Sequence, residues 1–266
     1  MMGPVQVRNY GCRLNVEWRL RGLRTVILEN ELLRVGVLAD KGTEIFEFLY
    51  KPLDVDFLYL APRGVQNPRH DTPSVAPQNG GFLDAYSGGW QEIFPNGGPA
   101  CTHNGAEYGQ HGEVALAPWS FAVSHDSPDE VSVDFWIEAR RTPCLMQKRL
   151  TLRRGLPVLF IEERLTNRGA EPVRFMWGHH VAFGAPFLAA GCTIDAPAGR
   201  LIVEDDQPGF GPRLYRPGSE SKWPGACPPE GAPAGAAVGA AAAGGDRIAA
   251  DVVPAVDPAR GAEEMA

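Results

Sequence analysis

The chain has 266 residues, and its 31 Gly and 24 Pro are about a fifth of the total, well above the roughly 12% of average usage. Such a load of helix breakers excludes a helical bundle or coiled coil and favours short strands joined by turns, while a 44% hydrophobic fraction excludes wholesale disorder. A formal net charge of −7 removes the surplus of clustered Lys and Arg that phosphate-backbone binding needs, so nucleic acid is not expected as a partner.

No window reaches 18 consecutive apolar residues, and the N-terminus lacks the apolar core of a secretion signal, so no membrane partner is expected and the reading is a cytoplasmic protein. The five cysteines, Cys12, Cys101, Cys144, Cys192 and Cys227, are odd in number, scattered and never in a CxxC pair. Neither a disulfide framework nor a thiolate zinc site follows, and no metal or cofactor is expected.

From Arg24 the run RTVILENELLRVGVLADKGTEIFEFLYK reads as two or three consecutive antiparallel strands broken by turn signals. Residues 61–81, rich in Pro and Gly and without apolar periodicity, read as a long loop, and long loops inside compact domains tend to be functional. Beyond it, segments of six to ten residues alternate with period two: in VSVDFWIEA, Val131, Val133, Phe135 and Ile137 point one way. Turns at SPDE, RRG and NRGAEP make a meander of antiparallel strands the economical reading. From Gly225 onward, Ala, Gly and Pro make 27 of 42 residues and no aromatic occurs. The expected organisation is a β-sandwich domain over 1–224 and a flexible tail over 225–266.

Three segments concentrate polar, ring-bearing and glycine residues where a strand should simply end. In GGWQEIFPNGG (88–98), paired glycines flank Trp90, Gln91, Glu92 and Asn96, a stacking surface beside bidentate hydrogen-bond groups. That mixture suits a sugar, with C–H patches on its faces and hydroxyls on its rim; the alternative is a glycine-rich turn with a half-buried Trp. In GQHGEVALAPW (109–119), His111 and Glu113 would share one face of a strand. They could bind a metal, orient a hydroxyl or simply pair, and metal is the weakest option. The spacing is HxE, and a further ligand would have to come from His103, His179 or His180 with no motif to support it. In MWGHHVAFG (176–184), adjacent His179 and His180 must face opposite sides of a sheet, so at most one looks into a given pocket.

Taken in order, these segments resemble the galactose mutarotase-like, or aldose 1-epimerase, superfamily. NELLRVGVLADKGTEIFEFLYK resembles its first strands, GGWQEIFPNGG its sugar-site loop, and His111-Gly112 its first histidine motif. RLTNRGAEPVRFMWGHHVAF resembles its TN turn, strand and a histidine followed at the third position by Phe, which selects His180 with Phe183. The resemblance spans roughly residues 24–224. It implies an all-β, antiparallel β-supersandwich that binds a small-molecule sugar, an aldose or aldose phosphate, and interconverts its anomers by acid/base ring opening. On that resemblance His180 is the general acid and His111 a sugar-orienting or second acid residue; Trp90, Gln91, Glu92, Asn96, His103, Glu113 and His179 are the candidate substrate-binding residues.

The family's general base is a Glu on a strand after the histidine motif, whereas here the Ala/Gly/Pro tail follows, and Glu263 and Glu264 in GAEEMA have no strand-like residues before them. The expectation is therefore a fold incomplete at its C-terminus. Either another carboxylate such as Glu92 or Glu113 serves as base, or the chain is a non-catalytic carbohydrate-binding module or an inactive truncated homologue. A cupin-like metal enzyme is the remaining alternative. Arg63 and Arg69, in the long loop, are placed to meet a sugar phosphate if they are not simply solvated.

Overall fold

The computed structural model describes residues 7–70, 81–189, 192–195, 197–203, 215–223 and 247–249. It divides into two compact units, Met1–Phe187 and Leu188–Ala266.

In the first unit the run from Arg24 supplies three of the opening strands, in the order β1 (Arg13–Leu20), β2 (Leu23–Glu29), β3 (Leu33–Leu38), β4 (Glu44–Tyr50) and the short β5 (Val55–Asp56). Arg21 and Gly22 both take positive φ, the two-residue turn whose twist matches that of the strands β1 and β2 it joins. A one-turn helix α1 (Phe82–Ala85) follows the long loop and leads to β6 (Trp90–Ile93). Next come the hairpin β7 (Cys101–His103) and β8 (Ala106–Tyr108), then β9 (Ser120–Asp126), β10 (Glu130–Glu138), β11 (Cys144–Arg153), β12 (Leu159–Asn167) and β13 (Gly178–Val181). One seven-stranded sheet runs β1-β2-β3-β4-β6-β13, with β5 on β4; the second is the expected meander, β12-β11-β10-β9. Among the described residues the pairings between these strands are antiparallel.

The sheets share one core. Val26, Leu28, Val35 and Val37 from the first meet Val131, Val133, Phe135, Met146, Leu150 and Leu152 from the second, with Trp119 filling the space between. The inward parity of Val131, Val133 and Phe135 is the one that the period of two predicts. This is an all-β antiparallel sandwich. Cys12, Cys101 and Cys144 are free thiols, the first and third buried. Among the described residues no helix is long and apolar enough to cross a membrane.

In the second unit β14 (Thr193–Asp195) pairs antiparallel with β17 (Arg247–Ala249), and β15 (Arg200–Ile202) with β16 (Glu220–Lys222). Of the tail expected from residue 225, only Arg247–Ala249 is described; Glu263, Glu264 and Cys227 lie outside the described residues, as does 71–80 of the long loop.

Candidate functional site

β6 and β13 pair with His180 opposite Gln91 and His179 opposite Glu92. Because side chains alternate along a strand, Gln91 and His180 share the outer face of the sheet, while Trp90, Glu92 and His179 share the face toward the second sheet. The adjacent histidines therefore serve two different clusters.

On the outer face His180 meets His111, with ring centroids 5.2 Å apart. Gly112 makes this approach possible: its φ is +85° and a Cβ there would lie 2.0 Å from the Phe94 carbonyl oxygen, so only glycine lets the His111 loop run this close to the chain after β6. Phe82 of α1 stands 4.5 Å from the His111 ring and 5.9 Å from His180, and Tyr86 stands 5.4 Å from His180. His111 Nδ1 lies 3.0 Å from the Gly97 carbonyl, which only accepts; Nδ1 therefore carries the proton and Nε2 the lone pair, facing the Gln110 amide at 3.4 Å.

His180 Nδ1 and Gln91 Oε1 are buried without a hydrogen-bond partner among the described residues, although Gln91 Nε2 donates to the Gly88 carbonyl. Burial lowers the pKa of both histidines from 6.5, with the neighbouring His180 pushing His111 in the same direction. Both rings are consequently neutral at pH 7, and the site presents two imidazoles, an unfilled amide oxygen and two aromatic walls.

On the inner face a different constellation forms. The Lys148 ammonium, on β11, lies 2.5 Å from Glu92 Oε2 and 3.3 Å from Glu163 Oε1 on β12. Trp177 Nε1 donates to Glu92 Oε1 at 2.5 Å, and Trp90 Nε1 donates to His179 Nδ1 at 2.6 Å. Indole N–H can only donate, so His179 Nδ1 is the acceptor and its Nε2–H points to Glu163 Oε2, 3.0 Å away. Burial pushes the Glu92 carboxyl up; it also works against charge on Glu163, but the His179 hydrogen bond and Lys148 hold that group down. Glu92, Glu163 and His179 bring ligand atoms within 4.8 Å of one another, as a metal would require. The ammonium of Lys148 already stands between the carboxylates, and both His179 nitrogens are engaged.

The sequence profile of a domain of unknown function (DUF4432) matches residues 20–212. The chain belongs to this family. The stretch that matches DUF4432 contains His111, His180 and every member of the inner cluster. No curated protein matches the chain. Solved structures similar to this DUF4432 chain include a galactose mutarotase-like protein from Lactobacillus casei ATCC 334, at 19% identity over 85% of this chain and 67% of that one, with a TM-score of 0.46. A galactose mutarotase related enzyme from Lactobacillus acidophilus is 18% identical over 68% of this chain and 58% of its own, with a TM-score of 0.46. A TPR-domain containing protein from Parabacteroides distasonis ATCC 8503 is 16% identical, covering 55% of this chain and 21% of that one, at a TM-score of 0.38.

The DUF4432 chain separates the other candidate residues. Glu113 faces away from the histidines: its carboxylate accepts the backbone N–H groups of Arg140, Arg141 and Thr142, at 2.7–3.2 Å, and the Thr142 hydroxyl. Asn96 is buried, donating to the Pro99 carbonyl at 2.8 Å, and with exposed His103 it lines a cleft of about 710 Å³ walled by Tyr108, Phe175 and Met176. Arg63 donates to the carbonyls of Leu83 and Tyr86, which ties down the α1 turn carrying the aromatic walls, and Arg69 lies 4.0 Å from Asp40. Phe183 is half exposed and bridges to Leu58.

Sequence reasoning missed Phe82, Tyr86, Lys148, Glu163 and Trp177. A signal existed for one of them: Lys148 falls between Met146 and Leu150 at the inward parity of β11, where a charge needs a partner.

Proposed function

We propose that the protein binds a small sugar against the His111–His180 pair and interconverts the anomers of an aldose. The observation that carries this reading is the meeting of two imidazoles beside a buried amide oxygen and a buried ring nitrogen, neither of which has a partner among the described residues. A polyol supplies hydroxyls for both, and its C–H face suits Phe82 and Tyr86.

Ring opening needs two proton movements. As the C1–O5 bond breaks, His180 in its protonated form gives that proton to the ring oxygen and returns to the neutral imidazole, while the anomeric hydroxyl gives its proton to the neutral His111 at Nε2, leaving a C1 carbonyl. Rotation about C1–C2 and the reverse transfers close the ring on the other face. Groups whose pKa lies near neutrality are suited to giving and regaining protons in this way. Hydrogen bonding of His111 Nδ1–H to the Gly97 carbonyl supports the positive ring that forms. Because Arg63 is occupied with main-chain carbonyls, the reading favours an uncharged aldose over its phosphate.

A second reading, sugar binding without turnover, draws support from the carboxylates. Glu92 lies on the opposite face of β6 from Gln91, and Glu113 is held by the 140–142 main chain, so neither shares the pocket of His180. Exchange NMR on equilibrated glucose and galactose separates the readings. Accelerated anomer exchange that disappears in His180→Ala supports the enzyme; saturable line broadening at the spontaneous exchange rate supports the binding module. Neither effect with any aldose tested would reject both.

A further inference from the structure

β13 is short and lies at the end of its sheet, paired with β6 alone within that sheet. The ladder to β6 is continued by Met176 N–H to the Pro95 carbonyl and Ala182 N–H to the Gly89 carbonyl, while the other edge is bonded only beyond the strand, at Ala182 and Gly184, so that Gly178–Val181 pair on one edge within the sheet. Its inner side is held by something else. Trp177 and His179, two residues apart and so on one side, are bound respectively to Glu92 and Glu163, and both carboxylates face the Lys148 ammonium. Lys148 is itself buried, hydrogen-bonded to Thr43 at 3.2 Å and 5.8 Å from the Trp119 ring centre, so the anchor reaches into the rigid core.

We propose that Glu92 and Glu163 are positioning residues: through Trp177 and His179 they lock the rotation of β13 and so present His180 to His111 on the far side of the sheet. This rests on the reading of His180 as a proton-transferring group, but it makes a claim about geometry that can be tested apart from activity. His179 serves as a strut in one defined tautomer. Its Nδ1 accepts from the Trp90 N–H and its Nε2–H donates to Glu163, so the ring is fixed at both nitrogens.

The test uses the full chain with Glu163→Leu, which removes the acceptor for His179, and Glu163→Gln, which keeps one. Circular dichroism checks folding, the imidazole ¹H–¹⁵N signals of His180 report its surroundings and titration, and exchange NMR on galactose and glucose reports turnover. In folded Glu163→Leu the His180 signals should shift toward those of free imidazole and its titration should rise toward 6.5. Anomer exchange should fall on the order of 10²-fold, as expected for a misplaced reacting group, and Glu163→Gln should recover most of both. A folded Glu163→Leu with His180 signals and titration unmoved overturns the proposal. If that variant does not fold, Trp177→Phe, which removes only the hydrogen bond to Glu92, is read on the same signals with the same criterion. If His180 moves as expected but the parent chain never accelerates anomer exchange, the positioning role stands and the anomer-exchange reading falls.

Discussion

Beneath the Tyr86 wall of the site lies a buried ion pair whose removal has a calculable consequence. Lys41 Nζ is 2.8 Å from Glu44 Oε2 and 2.7 Å from Ser87 Oγ, and Ser87 passes its own hydroxyl proton to Glu44 Oε1 at 2.7 Å. Both charged side chains are 1% exposed, so water cannot replace a lost partner. Lys41→Met preserves most of the volume and leaves the Glu44 carboxylate with the single Ser87 donor. Breaking a buried pair from one side costs about 3–5 kcal/mol. At about 2–4 °C per kcal/mol for a chain of this size, the melting midpoint should drop by roughly 6–20 °C. Replacing both partners, Lys41→Met with Glu44→Leu, should recover much of the loss, since an apolar pair of similar volume leaves no stranded charge. Urea denaturation followed by tryptophan fluorescence measures all three proteins. A Lys41→Met protein within about 1 kcal/mol of the parent would show that water reaches Glu44, and the reasoning from burial would fail.

Two further outcomes follow from the outer face. Gly112→Ala should cost more than the roughly 1–2 kcal/mol of a left-handed backbone alone, because its Cβ would also meet the Phe94 carbonyl at 2.0 Å; a urea midpoint close to the parent's would contradict this. The folded chain holds His111 and His180 below their ordinary 6.5, so as pH falls the unfolded chain takes up protons first. Their contribution is therefore present above about 6.5 and is lost as pH drops from there through the lower folded values. Urea midpoints from about pH 7.5 to 5.5 should fall less steeply in the His111→Gln/His180→Gln double variant, and parallel slopes would refute the assignment.

That His179 and His180 serve different faces was legible because the logic is local, whereas the choice of His180 and of His111 came from the family resemblance of their segments. Two adjacent residues on a strand face opposite ways whatever the rest of the fold does. The meander was legible for the same reason: period two in Val131, Val133 and Phe135 is a property of the strand itself. What surrounds the histidines was not. Phe82 and Tyr86 reach the site only because Arg63, from the far side of the long loop, binds the carbonyls of Leu83 and Tyr86. Glu113 seemed to share a face with His111, but positive φ at both His111 and Gly112 breaks the alternation that this inference needs. Its carboxylate turns instead to the amides at 140–142, more than twenty residues away in sequence.

The inner cluster also bears on how the sequence specifies register. A one-residue slip of β13 against β6 would exchange the two faces of the strand. With histidines at both 179 and 180, that slip would still place an imidazole on the outer face, so the histidines alone discriminate poorly between the two alignments. The residues around them do discriminate. In the slipped alignment His180 would take the place of His179 toward the second sheet, but Gly178 would stand where Trp177 does, so Glu92 would lose the indole N–H that this strand gives it. A Glu92 carboxylate left in a buried place without that donor is an expensive arrangement. A buried ion cluster is rarely the most stabilising filling for a core, and hydrophobic residues at 92, 148 and 163 would pack there without such a cost. They would also leave β13 free to slip. The cluster is thus best understood as fixing which of two adjacent histidines faces His111.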